Sequence, residues 1–312
     1  MAKDDRLPLQ ALTIDVEDYF QVEAFAGVIP RAEWQRWPRR VEAGTHYLLD
    51  RLAAHDARAT FFTLGWVAER HPALIRRIVA EGHELASHGY WHERVSTLTP
   101  ARFRADLERA RAVLEDAGGV AVTGYRAPTF SIGPANAWAW PVLAETGHRY
   151  SSSLFPIRHD LYGDPRAPRV PFRPAGTDVD LWEIPLTTAR LCGRNLPCAG
   201  GGYFRLLPYS AYRVAVRRLR GDAPAPAIFY THPWELDPDQ PVVDGVSWRA
   251  RFRHRVNLHR MKPRFERLLA EFRWERMDVA FADLLGPGPG SPPTEAAAVA
   301  GTRAGAVAAG VD

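Results

Sequence analysis

Three acidic residues stand close together near the start of the chain: Asp15, Glu17 and Asp18. They come at the end of an apolar run over residues 9–15 that is typical of a buried strand. Side chains two residues apart on a strand point to the same face, so Asp15 and Glu17 are expected to converge on one cavity. Buried acids are costly without a compensating cation, and a divalent metal is one such cation. The alternative is a turn or helix N-cap built from acids.

Two histidines, His88 and His92, are separated by three residues. On a helical turn this spacing puts both imidazoles on one face, and zinc sites use it repeatedly. Taken alone, the pair also fits two packed histidines in a stretch rich in Trp and Tyr. One carboxylate and two imidazoles together would leave a coordination position open for water, which is typical of a catalytic zinc site.

Two further positions complete a possible catalytic set. Arg126 and Pro128 stand in a Tyr-Arg-Ala-Pro sequence after a short strand, where a stiffened loop would let the guanidinium orient a carboxylate. His232 ends an apolar strand. The alternatives are a surface arginine in an ordinary turn and a structural histidine.

The elements that must position these residues alternate between strands and helices. The pattern predicts strands over 9–15, 60–64, 84–87, 121–125 and 225–231, with a short strand from 150. It predicts helices over 40–54, 72–80, 99–117, 134–146 and 255–272. This alternation indicates an α/β protein with a parallel sheet or barrel. The candidate residues follow strand ends, where such folds place their active sites.

The composition is that of a folded protein, with 46% hydrophobic and 24% charged residues in a chain of 312. No stretch approaches the roughly 18 apolar residues that a membrane span requires. The N-terminus lacks the apolar core of a secretory signal, so we expect a cytoplasmic protein, with a peripheral location on the inner membrane as the alternative. Cys192 and Cys198 are too few for a four-thiolate metal site, and in that compartment both should stay reduced.

The net charge of +4 comes almost entirely from arginine, since Lys3 and Lys262 are the only lysines. Arginine pairs at 39–40, 76–77 and 217–218 fit solvated helix faces. The alternative is a basic patch for an anionic glycan, a lipid phosphate or nucleic acid. No zinc finger, RNA-recognition signature or basic zipper occurs, so nucleic acid is not an expected partner, and the oligomeric state is left open.

The sequence suggests a division into three regions. Residues 8–235 are predicted to form a catalytic domain, within which the Pro-, Gly- and Arg-rich segment 155–208 is an ordered insertion. Residues 236–285 are predicted to be a C-terminal extension packed on that domain. Residues 286–312 are rich in Gly, Pro and Ala and are predicted to be a disordered tail.

The order of these motifs resembles that of the polysaccharide deacetylase family, also called the NodB-homology domain or carbohydrate esterase family 4. The resemblance covers roughly residues 10–235 and runs through LTIDVE (12–17), GHELASHGYWH (82–92), YRAP (125–128) and YTH (230–232). Three stretches, DVEDYF (15–20), GGGYFRLLPY (200–209) and THPWELDPDQP (231–241), resemble a subgroup found beside exosortase-linked exopolysaccharide loci. That subgroup carries its own C-terminal extension.

The resemblance implies a deformed (β/α) barrel and metal-dependent amide hydrolysis. It implies that Asp15 is the general base, oriented by Arg126, and that His232 is the general acid. It further implies His88 and His92 as metal ligands, with sugar contacts at Tyr203, Trp234 and Pro128.

The sequence departs from the family's commonest pattern at Val16, where most members have a second, metal-binding Asp. The carboxylate ligand is therefore Glu17, favoured by strand geometry, or Asp18, favoured by its shorter side chain. Ser151 also stands where the subgroup often has Asp, which leaves the role of that position open.

The expected function is a zinc-dependent, or similar divalent-metal-dependent, N-deacetylase. Its expected substrate is the N-acetylated sugar of an exopolysaccharide or of its lipid-linked precursor, and an anionic membrane surface is a second candidate partner. One alternative is an amidohydrolase that opens cyclic imides or another non-peptide C–N bond. Another is a non-catalytic glycan-binding protein of the biosynthetic machinery.

Overall fold

The computed structural model describes residues 9–174, 180–222 and 225–286. Its strands are β1 Gln10–Val16, β2 Thr60–Thr63, β3 Glu84–Ser87, β4 Gly124–Tyr125, β5 Tyr150–Ser151, β6 Trp182–Glu183, β7 Thr188–Leu191, β8 Arg194–Pro197, β9 Ile228–Thr231 and β10 Trp274–Glu275. Its α-helices are α1 Val41–Ala54, α2 Gly65–Arg70, α3 Pro72–Ala80, α4 Pro100–Gly118, α5 Ala139–Glu145, α6 Gly201–Leu206, α7 Tyr209–Asp222, α8 Trp248–Arg255, α9 Met261–Glu271, α10 Met277–Ala280 and α11 Ala282–Leu285.

Eight of these strands form one parallel, curled sheet. From β1 the order runs β2, β3, β4, β5 and β6, while β9 and β10 also pair with β1. The gap between β6 and β9 is bridged by a hydrogen bond from the Ile228 amide to Thr187 Oγ1 (2.6 Å) and by an isolated pairing of Gly200 with Tyr230. The predicted deformed (β/α) barrel is confirmed.

Burial explains why β1 lies at the centre of this sheet. All seven of its residues are buried, as expected for a parallel strand covered on both faces. Helix α1 packs the apolar stripe of Leu48, Leu49 and Leu52 into the same core. The strand that carries the acidic residues is therefore held rigidly from both sides.

Several local predictions differ from the structure. The helix predicted over 255–272 is interrupted at Asn257, whose φ of 53° is left-handed, and continues as α9 from Met261. The strand predicted over 121–125 is only Gly124–Tyr125, and the helix predicted over 134–146 begins at Ala139 after a short 3-10 turn. The segment between His88 and His92 is not helical.

The segment 155–208 contributes to the main sheet, because it contains β6. It also contains the antiparallel hairpin β7–β8 and helix α6. Similarly, the region after residue 235 contains β10, which pairs with β1. The proposed division into domains stays a prediction, and nearly all of the tail predicted over 286–312 lies outside the described residues.

Two negative findings concern the described part of the chain. None of its helices combines the length and the apolar character needed to cross a membrane. Its two cysteines are unpaired, with Cys192 exposed and Cys198 buried.

Candidate active site

Asp15 is the second-last residue of β1, and a buried arginine holds its side chain. Arg126 Nη1 donates to Asp15 Oδ1 (2.7 Å) and to Thr13 Oγ1 (2.7 Å). The same guanidinium donates to the hydroxyl and the carbonyl of Ser152, and it lies over the Phe62 ring. Because these contacts use several edges of the guanidinium, the Asp15 carboxylate is fixed in orientation.

Glu17, His88 and His92 lie together beside Asp15. One potential ligand atom from each falls within 4.8 Å of the others. Glu17 Oε2 is buried and makes no hydrogen bond, although it lies 2.6 Å from His92 Nε2. A buried carboxylate oxygen without a donor fits a bound cation, and one carboxylate with two imidazoles fits zinc or a similar divalent ion.

The surroundings of Glu17 keep its carboxylate charged. Burial opposes ionisation, but the nearby imidazoles of His92, His232 and His88 outweigh it and lower the pKa of Glu17 below its usual range. The Trp234 indole N–H also donates to Glu17 Oε1 (3.1 Å). These contacts suit a carboxylate that serves as a metal ligand.

His88 is oriented by the backbone just after the neighbouring strand, β4. Its Nδ1 lies 2.7 Å from the carbonyl oxygen of Arg126, so Nδ1–H donates and Nε2 keeps its lone pair. Burial lowers the pKa of His88 to about 4, which holds the imidazole neutral. A neutral imidazole with its second nitrogen fixed by a carbonyl is the usual arrangement of a metal-binding histidine.

His92 reaches the cluster from a loop rather than from a helix. The helical turn predicted for residues 88–92 is therefore absent. The two imidazoles nevertheless lie side by side, with ring centroids 5.3 Å apart. The backbone of His92 is left-handed, with φ of 52°. For a non-glycine residue this conformation is uncommon and is found most often where the surroundings hold it, as at ligand sites.

Asp18 does not join the cluster. Its Oδ1 accepts from the Tyr19 amide (3.0 Å), and its Oδ2 accepts from the amides of Arg40 (2.8 Å) and Val41 (3.1 Å). Asp18 thus caps the start of α1 and the 3-10 turn Tyr19–Gln21. Both oxygens of Asp18 bind backbone N–H groups, and among the described residues it is Glu17 whose carboxylate lies with His88 and His92, so the geometry favours Glu17 as the carboxylate ligand.

His232 follows the end of β9 and lies beside both Asp15 and Glu17. Its Nε2 is 3.9 Å from Asp15 Oδ2 and 3.6 Å from Glu17 Oε1, while its Nδ1 is 2.8 Å from Glu235 Oε1. Burial would lower the pKa of His232, but the hydrogen bond to Glu235 and the charges of Glu17 and Asp15 raise it to about 9. The imidazole is therefore a cation that faces the site.

Glu235 belongs to a buried charged chain that the sequence analysis did not find. Arg205 Nε donates to Glu235 Oε2 (2.6 Å), and both side chains are almost completely buried. Burial opposes the charge of Glu235, yet Arg205 and His232 lower its pKa to about 2. Arg205 also donates to the carbonyl oxygens of residues 253, 254 and 256, and so ties α8 to the site.

The three predicted sugar contacts have different surroundings. Trp234 is in the site, but its N–H binds Glu17 and its ring stacks on His232 and His254. Pro128 is buried, so its side chain has little surface to offer a sugar. Among the described residues, the only ring contact of Tyr203 is with His159, and no hydrogen bond joins it to the acids or imidazoles of the site.

A groove of about 430 Å³ opens beside His92. Phe20, Ile29 and Trp34 give it an apolar floor. Two ion pairs, Arg31 with Glu93 (3.1 Å) and Arg94 with Glu23 (3.5 Å), line its edge. This lining combines apolar surface with paired polar groups.

Comparisons with known proteins agree with the sequence resemblance. Residues 36–151 match the model of the polysaccharide deacetylase family, and residues 152–282 match a domain of unknown function, DUF3473. The peptidoglycan-N-acetylglucosamine deacetylase of Bacillus cereus is 33% identical over 84 residues, which are 27% of this chain and 30% of that protein. The chitooligosaccharide deacetylase of a Bradyrhizobium species is 36% identical over 97 residues, 31% of this chain and 42% of that protein.

The chain thus spans less than half the length of these two curated relatives. Its fold is also similar to the crystal structure of a candidate polysaccharide deacetylase from Mycobacterium smegmatis. That likeness has a TM-score of 0.58 at 23% identity and covers 94% of this chain and 98% of the other.

Proposed function

We propose that this protein is a metal-dependent N-deacetylase that removes acetyl groups from the N-acetylated sugars of an exopolysaccharide or of its lipid-linked precursor, releasing acetate. The observation that carries the proposal is the placement of Glu17, His88 and His92 beside Asp15 and His232, where β1, β3 and β9 end. The deacetylases that share partial similarity with residues of this chain support the same class of reaction.

Glu17, His88 and His92 would hold the metal ion. A divalent ion bound there would polarise the acetamido carbonyl and make a neighbouring water more acidic. The neutral state of His88 and the ionised state of Glu17 provide the lone pairs that this binding requires.

Asp15 and His232 divide the proton transfers between them. Asp15 is the general base that takes a proton from the attacking water, and Arg126 fixes the direction of its carboxylate. His232 carries a proton at Nε2 and donates it to the departing sugar amine, while Glu235 holds the ring through Nδ1. The base and the acid thus face the reacting amide from two neighbouring strands.

The groove beside His92 is the proposed binding site of the glycan. Sugar rings present apolar C–H faces and polar hydroxyl edges, and the groove offers Trp34 together with the ion-paired groups of Arg31 and Arg94. This lining suits a neutral N-acetylated sugar better than a strongly charged one.

The exopolysaccharide assignment rests on the subgroup motifs described above, and we propose a cytoplasmic location at the inner membrane. Helix α8 supports docking on an anionic lipid surface. Trp248 and Phe252, one helical turn apart, are 73% and 52% exposed, and the eight residues of the helix include four arginines and no acid. Exposed aromatic residues beside basic ones are typical of peripheral membrane helices.

The deacetylase proposal is tested by acetate release from N-acetylglucosamine oligomers, using metal-stripped protein before and after zinc is added. We expect release only with zinc, and a fall of about 10²–10⁴-fold in kcat for Asp15→Asn. Zinc binding without release, together with hydrolysis of small cyclic imides, would favour the amidohydrolase alternative. Absence of both zinc binding and release would favour a glycan-binding protein.

The docking proposal is tested by co-sedimentation with neutral and anionic phospholipid vesicles. We expect binding to anionic vesicles only, and its loss in W248S/F252S. The matched control V120S/V214S changes two exposed apolar residues elsewhere and should bind as the parent does. Equal binding to both vesicle types, or equal loss in both variants, would refute docking through α8.

A further inference from the structure

A second groove, of about 660 Å³, lies between the loop that begins at Ile157 and the hairpin β7–β8. The loop forms one wall with Ile157, Pro165 and Ala167. The hairpin forms the other wall with Leu196 and Pro197. The two walls are joined at one end by a hydrogen bond from Asn195 Nδ2 to the carbonyl oxygen of residue 156 (2.8 Å).

Arginines from both walls point to this groove. Arg158 and Arg169 come from the loop, and Arg190 and Arg194 come from the hairpin. No acidic residue is among the described lining residues. Arg169 donates to the side chain and carbonyl of Thr188 (2.9 and 2.7 Å), which fixes its guanidinium in place.

The other three arginines are notable for what they lack. Many arginines of this protein, such as Arg77 and Arg276, are engaged by carboxylates. In the described parts of the chain, no hydrogen bond or ion pair engages the side chains of Arg158, Arg190 or Arg194. Four like charges around one groove create a positive potential that favours the binding of an anion.

The groove is one loop away from the proposed acid. Phe155 packs edge-on against Tyr230 (6.5 Å between centroids), and Tyr230 packs edge-on against His232 (5.7 Å). Residues 156 and 157, which follow directly, bind or line the groove. The groove therefore adjoins a loop that packs, through Phe155 and Tyr230, against the strand preceding His232.

We propose that the groove binds the diphosphate of a phosphate-linked glycan, with the N-acetylated sugar placed at the catalytic site. This inference rests on the proposed function, because it names the part of the substrate beyond the sugar. Guanidinium groups bind phosphate oxygens in pairs, and a diphosphate offers enough oxygens to engage arginines from both walls. A neutral polysaccharide alone would give these four charges nothing to bind.

The test is calorimetric titration of the full chain with inorganic pyrophosphate. The protein is first treated with a chelator, because pyrophosphate also binds metal ions, and the titration is then repeated with zinc. We expect R190A/R194A to weaken binding by about tenfold or more, since each charged hydrogen bond removed is worth several-fold in affinity. The control R36A/R76A removes the same charge from two exposed positions that do not line the groove, and it should bind as the parent does.

If only the overall surface charge matters, both variants should weaken binding equally. That result would overturn the proposal, and so would the absence of measurable binding by the parent.

A fluorophore on Cys192 gives a second readout of the same site, because Cys192 lies at the tip of the hairpin and is exposed, whereas Cys198 is buried. Its emission should change with pyrophosphate in the parent and the control but not in R190A/R194A.

Two probes then separate the sources of the diphosphate. Stronger binding of a nucleoside diphosphate sugar than of pyrophosphate indicates a nucleotide-linked substrate. Stronger binding to vesicles that contain a polyprenyl diphosphate indicates a lipid-linked one. Because the titration involves no catalysis, loss of deacetylation would leave its result intact, and failure of the groove proposal would leave acetate release from neutral oligomers unchanged.

Discussion

Replacing Glu235 by glutamine should shift the pH dependence of the proposed deacetylation in a direction set by His232. In the parent, Glu235 raises the pKa of His232, which reaches about 9 against an ordinary value of 6.5. If the neutral amide lets the pKa return to 6.5, the protonated fraction at pH 8 falls from about 0.9 to about 0.03. Since the protonated imidazole is the proposed acid, kcat/KM at pH 8 should fall about 30-fold, with a smaller loss at pH 6.

The assay is the pH profile of kcat/KM for acetate release, together with an NMR titration of the His232 ring. A bound cation near Glu17 would lower the pKa in the parent and the variant alike, so the quantity to compare is the difference between them. The control is Glu266→Gln, because Glu266 also pairs with a histidine, His55 (2.9 Å), but lies outside the site. It should leave the profile unchanged.

The same substitution should also lower the free energy of unfolding. Arg205 would lose its carboxylate partner while it stays buried, and removing one member of a buried ion pair costs about 3–5 kcal/mol. Its three bonds to backbone carbonyls remain, so the lower end of that range is expected.

The pH profile gives the refuting result. If kcat/KM of the folded Glu235→Gln variant falls at the same alkaline pH as kcat/KM of the parent, the role given to Glu235 is refuted.

Three further predictions follow from separate features. Gly200→Ala should lower the free energy of unfolding in urea by more than about 1 kcal/mol, since φ is +122° and the new Cβ would lie 2.1 Å from the carbonyl oxygen of Tyr230; Gly202→Ala, which meets no such contact, should not destabilise. Burial raises the pKa of Glu84 above its ordinary 4.5, so the folded state keeps a proton that the unfolded state releases, and stability should fall as the pH rises above 4.5 towards the folded pKa. Glu84→Gln should flatten that fall in thermal melts at several pH values, and an unchanged slope would contradict it. Zinc added to chelated protein at 100 times its Kd should stabilise the folded state by about 2.7 kcal/mol and so raise the melting temperature. An equal rise in His88→Ala would exclude His88 as a ligand.

From the sequence, it was easier to predict which residues would lie close together than how the backbone would bring them there. Asp15 and Glu17 do lie near the same imidazole, that of His232, but Glu17 follows the end of β1 in a turn in which its amide donates to the Asp15 carbonyl (3.1 Å), so strand alternation does not explain its position. His88 and His92 do meet, but through a left-handed loop residue that helical spacing cannot describe. The choice between Glu17 and Asp18 needed the structure, since the cap of α1 depends on amides more than twenty residues away.

The features that the sequence did not reveal depend on distant contacts. Glu235 stands in a visible motif, but its partner Arg205 is thirty residues away and no local pattern joins them. Strands β6 and β10 have two residues each, which is too short for any periodicity to be seen. Asn257 breaks a helical pattern that remains favourable in the residues on both sides of it.

The pairing of β1 has a consequence for how the chain folds as it is synthesised. Among the described strands this one is synthesised first, yet the strands that pair with it begin at residues 60, 228 and 274. Its completed hydrogen bonding must therefore await nearly the last described residue, and contacts so far apart in sequence slow folding. During that delay the unpaired edges of a strand that is fully buried in the folded protein stay open to other chains, which favours aggregation of the nascent protein. The boundary between the two matched family segments, at residues 151 and 152, accordingly does not separate two units that fold on their own.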